Sequence, residues 1–249
     1  MNYQIDTHSK QITFLDNRFY QTESGKYVPS VTTIGDAYPK GPEYFAWLKK
    51  VGEDADSIRD EAGRRGSIVH ELTEKYDAGE EISLLSETGR IGFKLSEWAM
   101  FERYVDFRSR FELEILLCEF NIINEKLGYA GTLDRVVEMN GKKILLDIKT
   151  SNSIYPFYWL QLAAYKKLYE SIGLESGGID EVAILWLNAK TRSLGTKGAI
   201  QGLGWQLVTR DADLMQRDIE MFEATQKLWL AENGTMQPKR LQYQLSHKL

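Results

Sequence analysis

Cysteine is almost missing from this chain of 249 residues, Cys118 being the only one. That excludes disulfide frameworks, four-cysteine zinc sites and cysteine-ligated iron–sulfur clusters within the chain, and a reducing, cytoplasmic setting is the expectation. The first ten residues, MNYQIDTHSK, hold no apolar core of the kind a signal peptide needs. No apolar run approaches the ~20 residues that span a bilayer, so no membrane partner is expected. A phosphate loop of the form Gly-x-x-x-x-Gly-Lys-Ser/Thr is absent, so no motor is fused to the chain. Internal repeats, low-complexity tracts and linkers are absent as well. So is the basic surplus of a protein that coats nucleic acid, the net charge being −5. This argues against tight non-specific binding, though not against a carboxylate site filled with divalent cations, which brings its own positive charge.

What is present is a hydrophobic fraction of 43%, enough for one sizeable core, and one globular domain over residues 1–249 is expected. Residues 11–33 alternate in polarity around Asp16-Asn17, Gly25 and Pro29 and read as a hairpin with a loop, the N-terminal part being 1–41. Residues 42–111 read as helical. Tyr44, Phe45, Trp47 and Leu48 form one apolar stripe; Ile58, Ala62, Ile68, Val69 and Leu72 form a second, with a break near Gly52. Gly79 ends that helix, and a third, 86–111, turns Phe93, Trp98, Phe101, Tyr104 and Phe107 inward.

The period then changes to 2. Strands are expected over 113–124, 129–138 and 143–150, the last two joined by Asn140-Gly141, a strong hairpin signal. A helix over 155–172 follows, then a strand over 181–188, an exposed loop over 189–204 with Lys190, Arg192 and Lys197, a strand over 204–209 and a helix over 212–231. The catalytic sheet and helix thus occupy 112–209 and a helix with a tail 210–249. The fold class is α/β, a central mixed sheet flanked by helices.

Asp134 ends the strand Gly131-Thr132-Leu133-Asp134, and Asp147 and Lys149 sit on its partner, Leu146-Asp147-Ile148-Lys149-Thr150. Side chains two apart on a strand share a face, so Asp147 and Lys149 project together while Ile148 points into the core. Charges placed there cost several kcal/mol unless they pair or bind a metal. Two carboxylates suit Mg²⁺ or Mn²⁺, which bind a phosphate and acidify a water; the ammonium can orient that water and offset developing charge. A lone Asp-x-Lys is more often a structural ion pair. On a regular strand Glu119 shares a face with Leu117 and Ile115, at a sheet edge or aimed into the site. Gln161 and Tyr165 lie one turn apart on one helical face.

The order Arg65-Gly66-Ser67-Ile68-Val69-His70, Gly131-x-x-Asp134, Asp147-x-Lys149 and Gln161-x-x-x-Tyr165 resembles the RecB-like exonuclease branch of the PD-(D/E)XK nucleases. The likeness runs over residues 29–165. With Pro29-Ser30-Val31-Thr32-Thr33 ahead of an aromatic helix, it is most similar to the mitochondrial genome maintenance exonuclease and its phage and bacterial relatives. The resemblance implies a restriction-endonuclease-like core with a helical arch-like segment. It also implies that His70, Asp134, Asp147 and the main-chain carbonyl of Ile148 bind Mg²⁺ or Mn²⁺. Lys149 would be the catalytic lysine, Glu119 a further acid of the site, and Gln161 and Tyr165 a helix pair orienting lysine and DNA. Among the relatives, the helicase-fused and CRISPR-associated members commonly carry a four-cysteine cluster that Cys118 alone cannot form.

The function expected is metal-dependent DNA hydrolysis, preferring single strands or free ends, with a helicase or single-strand-binding protein as a separate partner. An endonuclease on the same fold, or a non-catalytic DNA-binding module, are the alternatives; the second would need one of Asp134, Asp147 or Lys149 to be missing, and none is. Phosphate contacts are expected from Arg90, Lys94, Arg103, Arg108 and Arg110 and from the loop cations Lys190, Arg192 and Lys197, the alternative being solvated faces. Phe157, Tyr158 and Trp159 could stack bases, although an aromatic cluster that starts a helix is more often core. His8 and His247 lie near the termini without partners.

Overall fold

A computed structural model describes residues 4–6, 10–173, 177–189, 203–234 and 236–238. The loop cations Lys190, Arg192 and Lys197 and the terminal His8 and His247 lie outside the described residues. The chain opens with β1 (Gln4–Asp6), β2 (Gln11–Phe14), β3 (Asn17–Gln21) and β4 (Tyr27–Pro29), an antiparallel sheet of four strands in sequence order. The expected hairpin is therefore the middle of a larger meander. A one-turn helix α1 (Val31–Ile34), capped by Ser30, whose hydroxyl accepts from the Thr33 N–H, leads into the helical segment.

That segment contains α2 (Pro42–Val51), α3 (Ala55–Asp77) and α4 (Leu95–Arg110). Gly52, at φ 59°, breaks the first two where expected. Two expectations fail. The stripe on α2 faces no core: the helix buries none of its residues, and Phe45 is 53% exposed. Only the C-terminal half of α3 is buried, through Val69, Leu72 and Thr73, while Ile58 is exposed. The pattern is amphipathic, but α2 and the first turns of α3 run past the body of the molecule. The third helix starts at Leu95 rather than 86, because Ser86 to Arg90 closes a turn with Gly89 at φ 74°. Turn chemistry overrides apolar spacing there, and Phe93, outside the helix, stacks on Trp98.

The central sheet has the order β5 (Leu113–Asn124), β6 (Tyr129–Met139), β7 (Lys142–Lys149), β8 (Glu181–Trp186) and β9 (Gln206–Asp211). All pairs are antiparallel except β7 with β8, so the sheet is mixed, as expected. Asn140 and Gly141 take φ 54° and 71°, the left-handed pair that a two-residue hairpin requires. The parallel crossover is carried by α5 (Pro156–Ser171), with proline in its first turn. A helical turn and α6 (Gln216–Asn233) close the fold.

Both faces of the sheet are covered. Val136 and Leu145 pack with Leu160, Leu168 and Phe222 of α5 and α6. Ile144, Leu146 and Ile148 pack with Val69 of α3 and Met100, Tyr104 and Phe107 of α4. This double cover is why β7 reads as a nearly continuous apolar run and why the charges at its end stand out. No helix among the described residues is long and apolar enough to cross a membrane.

Candidate metal and catalytic site

The pairing of β6 with β7 runs to Arg135 opposite Leu146. One residue on, the Asp134 carboxylate stands in for a strand acceptor: its Oδ2 accepts the Ile148 N–H at 2.8 Å. The Ile148 carbonyl oxygen lies 3.0 Å from His70 Nε2 on α3. His70 is held in turn by its own helix, where Thr73 Oγ1 donates to the His70 carbonyl at 2.8 Å.

Glu119 arrives by an irregularity. The register of β5 on β6 shifts between Ile115 and Leu117, and Glu119 takes φ 44°, a left-handed conformation that costs a non-glycine residue about 1–3 kcal/mol. Its side chain therefore leaves the alternation assumed from the sequence. Glu119 Oε1 lies 3.6 Å from His70 Nδ1, and Asp134 Oδ2 lies 3.7 Å from the same nitrogen. Ligand atoms of His70, Glu119 and Asp134 all fall within 4.8 Å of one another. Burial disfavours a charged His70, but Asp134 and Glu119 outweigh it and raise its pKa to about 9. In the metal-free protein a proton on His70 balances the carboxylates. One imidazole with hard oxygen donors, the Ile148 carbonyl beside them, is a set that suits Mg²⁺ or Mn²⁺.

Asp147 is placed differently. It is buried, outside that tight group of ligand atoms, with Lys149 Nζ 2.6 Å from its Oδ2 as an ion pair. Neither Asp147 oxygen receives an aligned hydrogen bond; the ammonium is close but badly directed for one. Burial raises the Asp147 pKa to about 6, with Lys149 opposing and Asp134 adding to the rise. Lys149 is itself raised: burial works against its charge, and Asp147 and Asp134 more than compensate. Its ammonium donates to Gln161 Oε1 at 3.1 Å and lies 4.6 Å from the Tyr158 ring centre. Gln161 Nε2 then donates to Tyr165 Oη at 3.0 Å. Tyr165 also explains Gly131: a Cβ there would come within 2.4 Å of the ring. The helix pair thus meets the lysine, as the spacing suggested.

Most of the described cations expected at phosphate have partners within the chain. Lys94, Arg108 and Arg110 are paired with Glu61, Asp77 and Asp106, and Arg103 donates to the Leu187 carbonyl. Lys94 and Arg110 stay exposed although paired, and Arg90, in the turn ahead of α4, is exposed with no ion pair among the described residues. Trp159 is buried under the Arg210 guanidinium, and Phe157 lies against Gly35; both belong to the core.

Sequence reasoning missed Arg135. It is 0% exposed, with Nε 2.8 Å from Asp77 Oδ2, Nη1 3.3 Å from Glu119 Oε1 and 2.6 Å from the Asp134 carbonyl. Tyr104 donates to the same Asp77 oxygen at 2.5 Å. This buried network ties Glu119 and the Asp134 backbone to α3 and α4. The signal was there: at a spacing of two, Leu133, Val137 and Met139 share a strand face with Arg135. The arginine thus falls on an otherwise apolar face, where only a buried acid could satisfy it.

No protein-family profile matches the chain, and no curated protein matches it. Among solved structures, the crystal structure of SSO0001 aligns at 19% identity and a TM-score of 0.27. That match covers 52% of this chain and 59% of the other.

Proposed function

We propose that the protein is a metal-dependent deoxyribonuclease that hydrolyses phosphodiester bonds of DNA from a free end, single strands first. The observation that carries this reading is the meeting of His70, Glu119 and Asp134, the two carboxylates at Nδ1 of the imidazole and the Ile148 carbonyl at its Nε2, with a protonated Lys149 as the residue after Ile148. These residues would hold Mg²⁺ or Mn²⁺, a cation that draws a phosphate oxygen and makes a bound water more acidic. Lys149 keeps its proton, so it serves as a fixed positive charge for the phosphorane-like transition state rather than as a base. Gln161 and the Tyr158 ring direct that ammonium. Asp147 anchors it electrostatically and lies close enough to the cluster for its charge to be felt there. The resemblance to RecB-like PD-(D/E)XK nucleases supports the same chemistry.

The test is cleavage of end-labelled DNA with Mg²⁺ or Mn²⁺, with EDTA, and with Asp134→Asn. Cleavage in metal that vanishes in EDTA, together with loss of both Mn²⁺ binding and turnover in the variant, is the expected result. Full activity in excess EDTA would overturn the mechanism.

A further inference from the structure

We propose that Arg65 is a phosphate-binding residue whose guanidinium receives a phosphodiester oxyanion of the strand lying beside the metal cluster, an inference that rests on the proposed nuclease reading. α3 runs past two neighbouring strands: Thr73 meets Arg135 of β6, His70 meets the Ile148 carbonyl of β7, and Arg65 meets the carbonyl of Thr150, the residue after β7. Arg65 thus stands at the strand end next to Lys149, on the helix that also delivers His70. Its neighbours on α3 are satisfied. Arg59 pairs with Asp56 and Asp60, and Arg64 with Glu61 and Glu97.

Arg65 alone in this stretch has no carboxylate within ion-pair distance among the described residues. Of its five N–H donors, Nη2 reaches the Thr150 carbonyl, at 3.4 Å, and Nε is fully buried with no acceptor. Leaving such a donor unmet is costly, more so on a charged group, and an orphan of this kind calls for an absent partner. Nη1, which is not buried in this way, has no acceptor among the described residues either, and an anion with paired oxygens is the partner that suits a planar, charged fork. A phosphodiester has two non-bridging oxygens and, in the proposed reaction, passes this strand end.

The experiment measures kcat and KM for Mn²⁺-dependent cleavage of a labelled linear single strand as NaCl is varied, for wild type, Arg65→Ala and Arg65→Lys, with Mn²⁺ affinity and melting temperature as controls. For Arg65→Ala, KM is expected to rise at least tenfold with kcat within about threefold. The slope of log kcat/KM against log salt should shrink by about 0.7, the value of one single-strand phosphate contact. Arg65→Lys should keep the slope and recover part of the affinity, since it restores charge without the fork. Mn²⁺ affinity should not move. An unchanged salt slope in Arg65→Ala, or a fall in Mn²⁺ affinity alongside KM, would overturn the proposal while leaving the nuclease reading intact. A wild-type protein that cuts no strand in Mn²⁺ would overturn both.

Discussion

At the scale of single residues, the site is a set of charges whose protonation follows from burial and neighbours. Lys149 is held by Asp147, Gln161 and Tyr158 rather than by substrate. Lys149→Ala should therefore leave DNA binding within about tenfold, ~1.4 kcal/mol, while removing most of the turnover. Equal losses in both, measured by anisotropy and by single-turnover cleavage, would make Lys149 a phosphate anchor instead. His70 supplies a pH dependence. Its folded pKa, about 9, is above the ordinary 6.5, so the stability it gives the metal-free protein is complete below about pH 6.5 and is lost as pH rises through 9. Asp147, also raised, acts at lower pH: its proton favours the fold as pH falls below about 6. Melting in EDTA between pH 6.5 and 9.5 therefore isolates His70, and His70→Gln should flatten the decline. An equal decline in that variant would place the titration elsewhere. Glu119 shows the limit of reading residues from sequence, because alternation assumes a regular strand and its left-handed φ of 44° does not announce itself.

At the scale of elements, period and turn chemistry located the strands that build the site. Asn140-Gly141 and the apolar run of β7 are local signals, and local physics decides them. Two helix expectations failed for different reasons, one because burial depends on what lies opposite and one because a local turn outweighs apolar spacing. The α2 stripe has the right spacing but no surface against it, and the turn at Gly89 shortens α4. Burial separates the two helices energetically. Tyr44→Ser and Phe45→Ser should change unfolding free energy by no more than about 0.5 kcal/mol. Phe107→Ala, which empties a fully buried position on α4, should cost about 3–5 kcal/mol. Urea denaturation would check both. A large loss from the α2 pair would mean that α2 packs in solution. If α2 meets DNA as a stacking surface, the same pair should weaken single-strand cleavage without weakening the fold.

At the scale of the whole molecule, α2 and the first turns of α3 bury little or nothing against the sheet that carries the site. A segment packed so lightly admits a flexible strand by its end more readily than a stiff duplex. Linear single strands should be degraded to short products, linear duplexes more slowly, and closed single-stranded circles should survive. Circles cut as fast as linear strands would change the proposed function to that of an endonuclease using the same candidate site. The cluster itself joins positions far apart in the chain, 70, 119, 134 and 148, on one helix and three strands. It also depends on β7, which is an interior strand only once β8 has paired with it in parallel. During synthesis, therefore, no stretch shorter than about three quarters of the chain can gather the ligands, and under the proposed function a growing or half-folded copy would be harmless to nearby DNA. The proposed activity would switch on only with completion of the fold, folding itself acting as the safety catch.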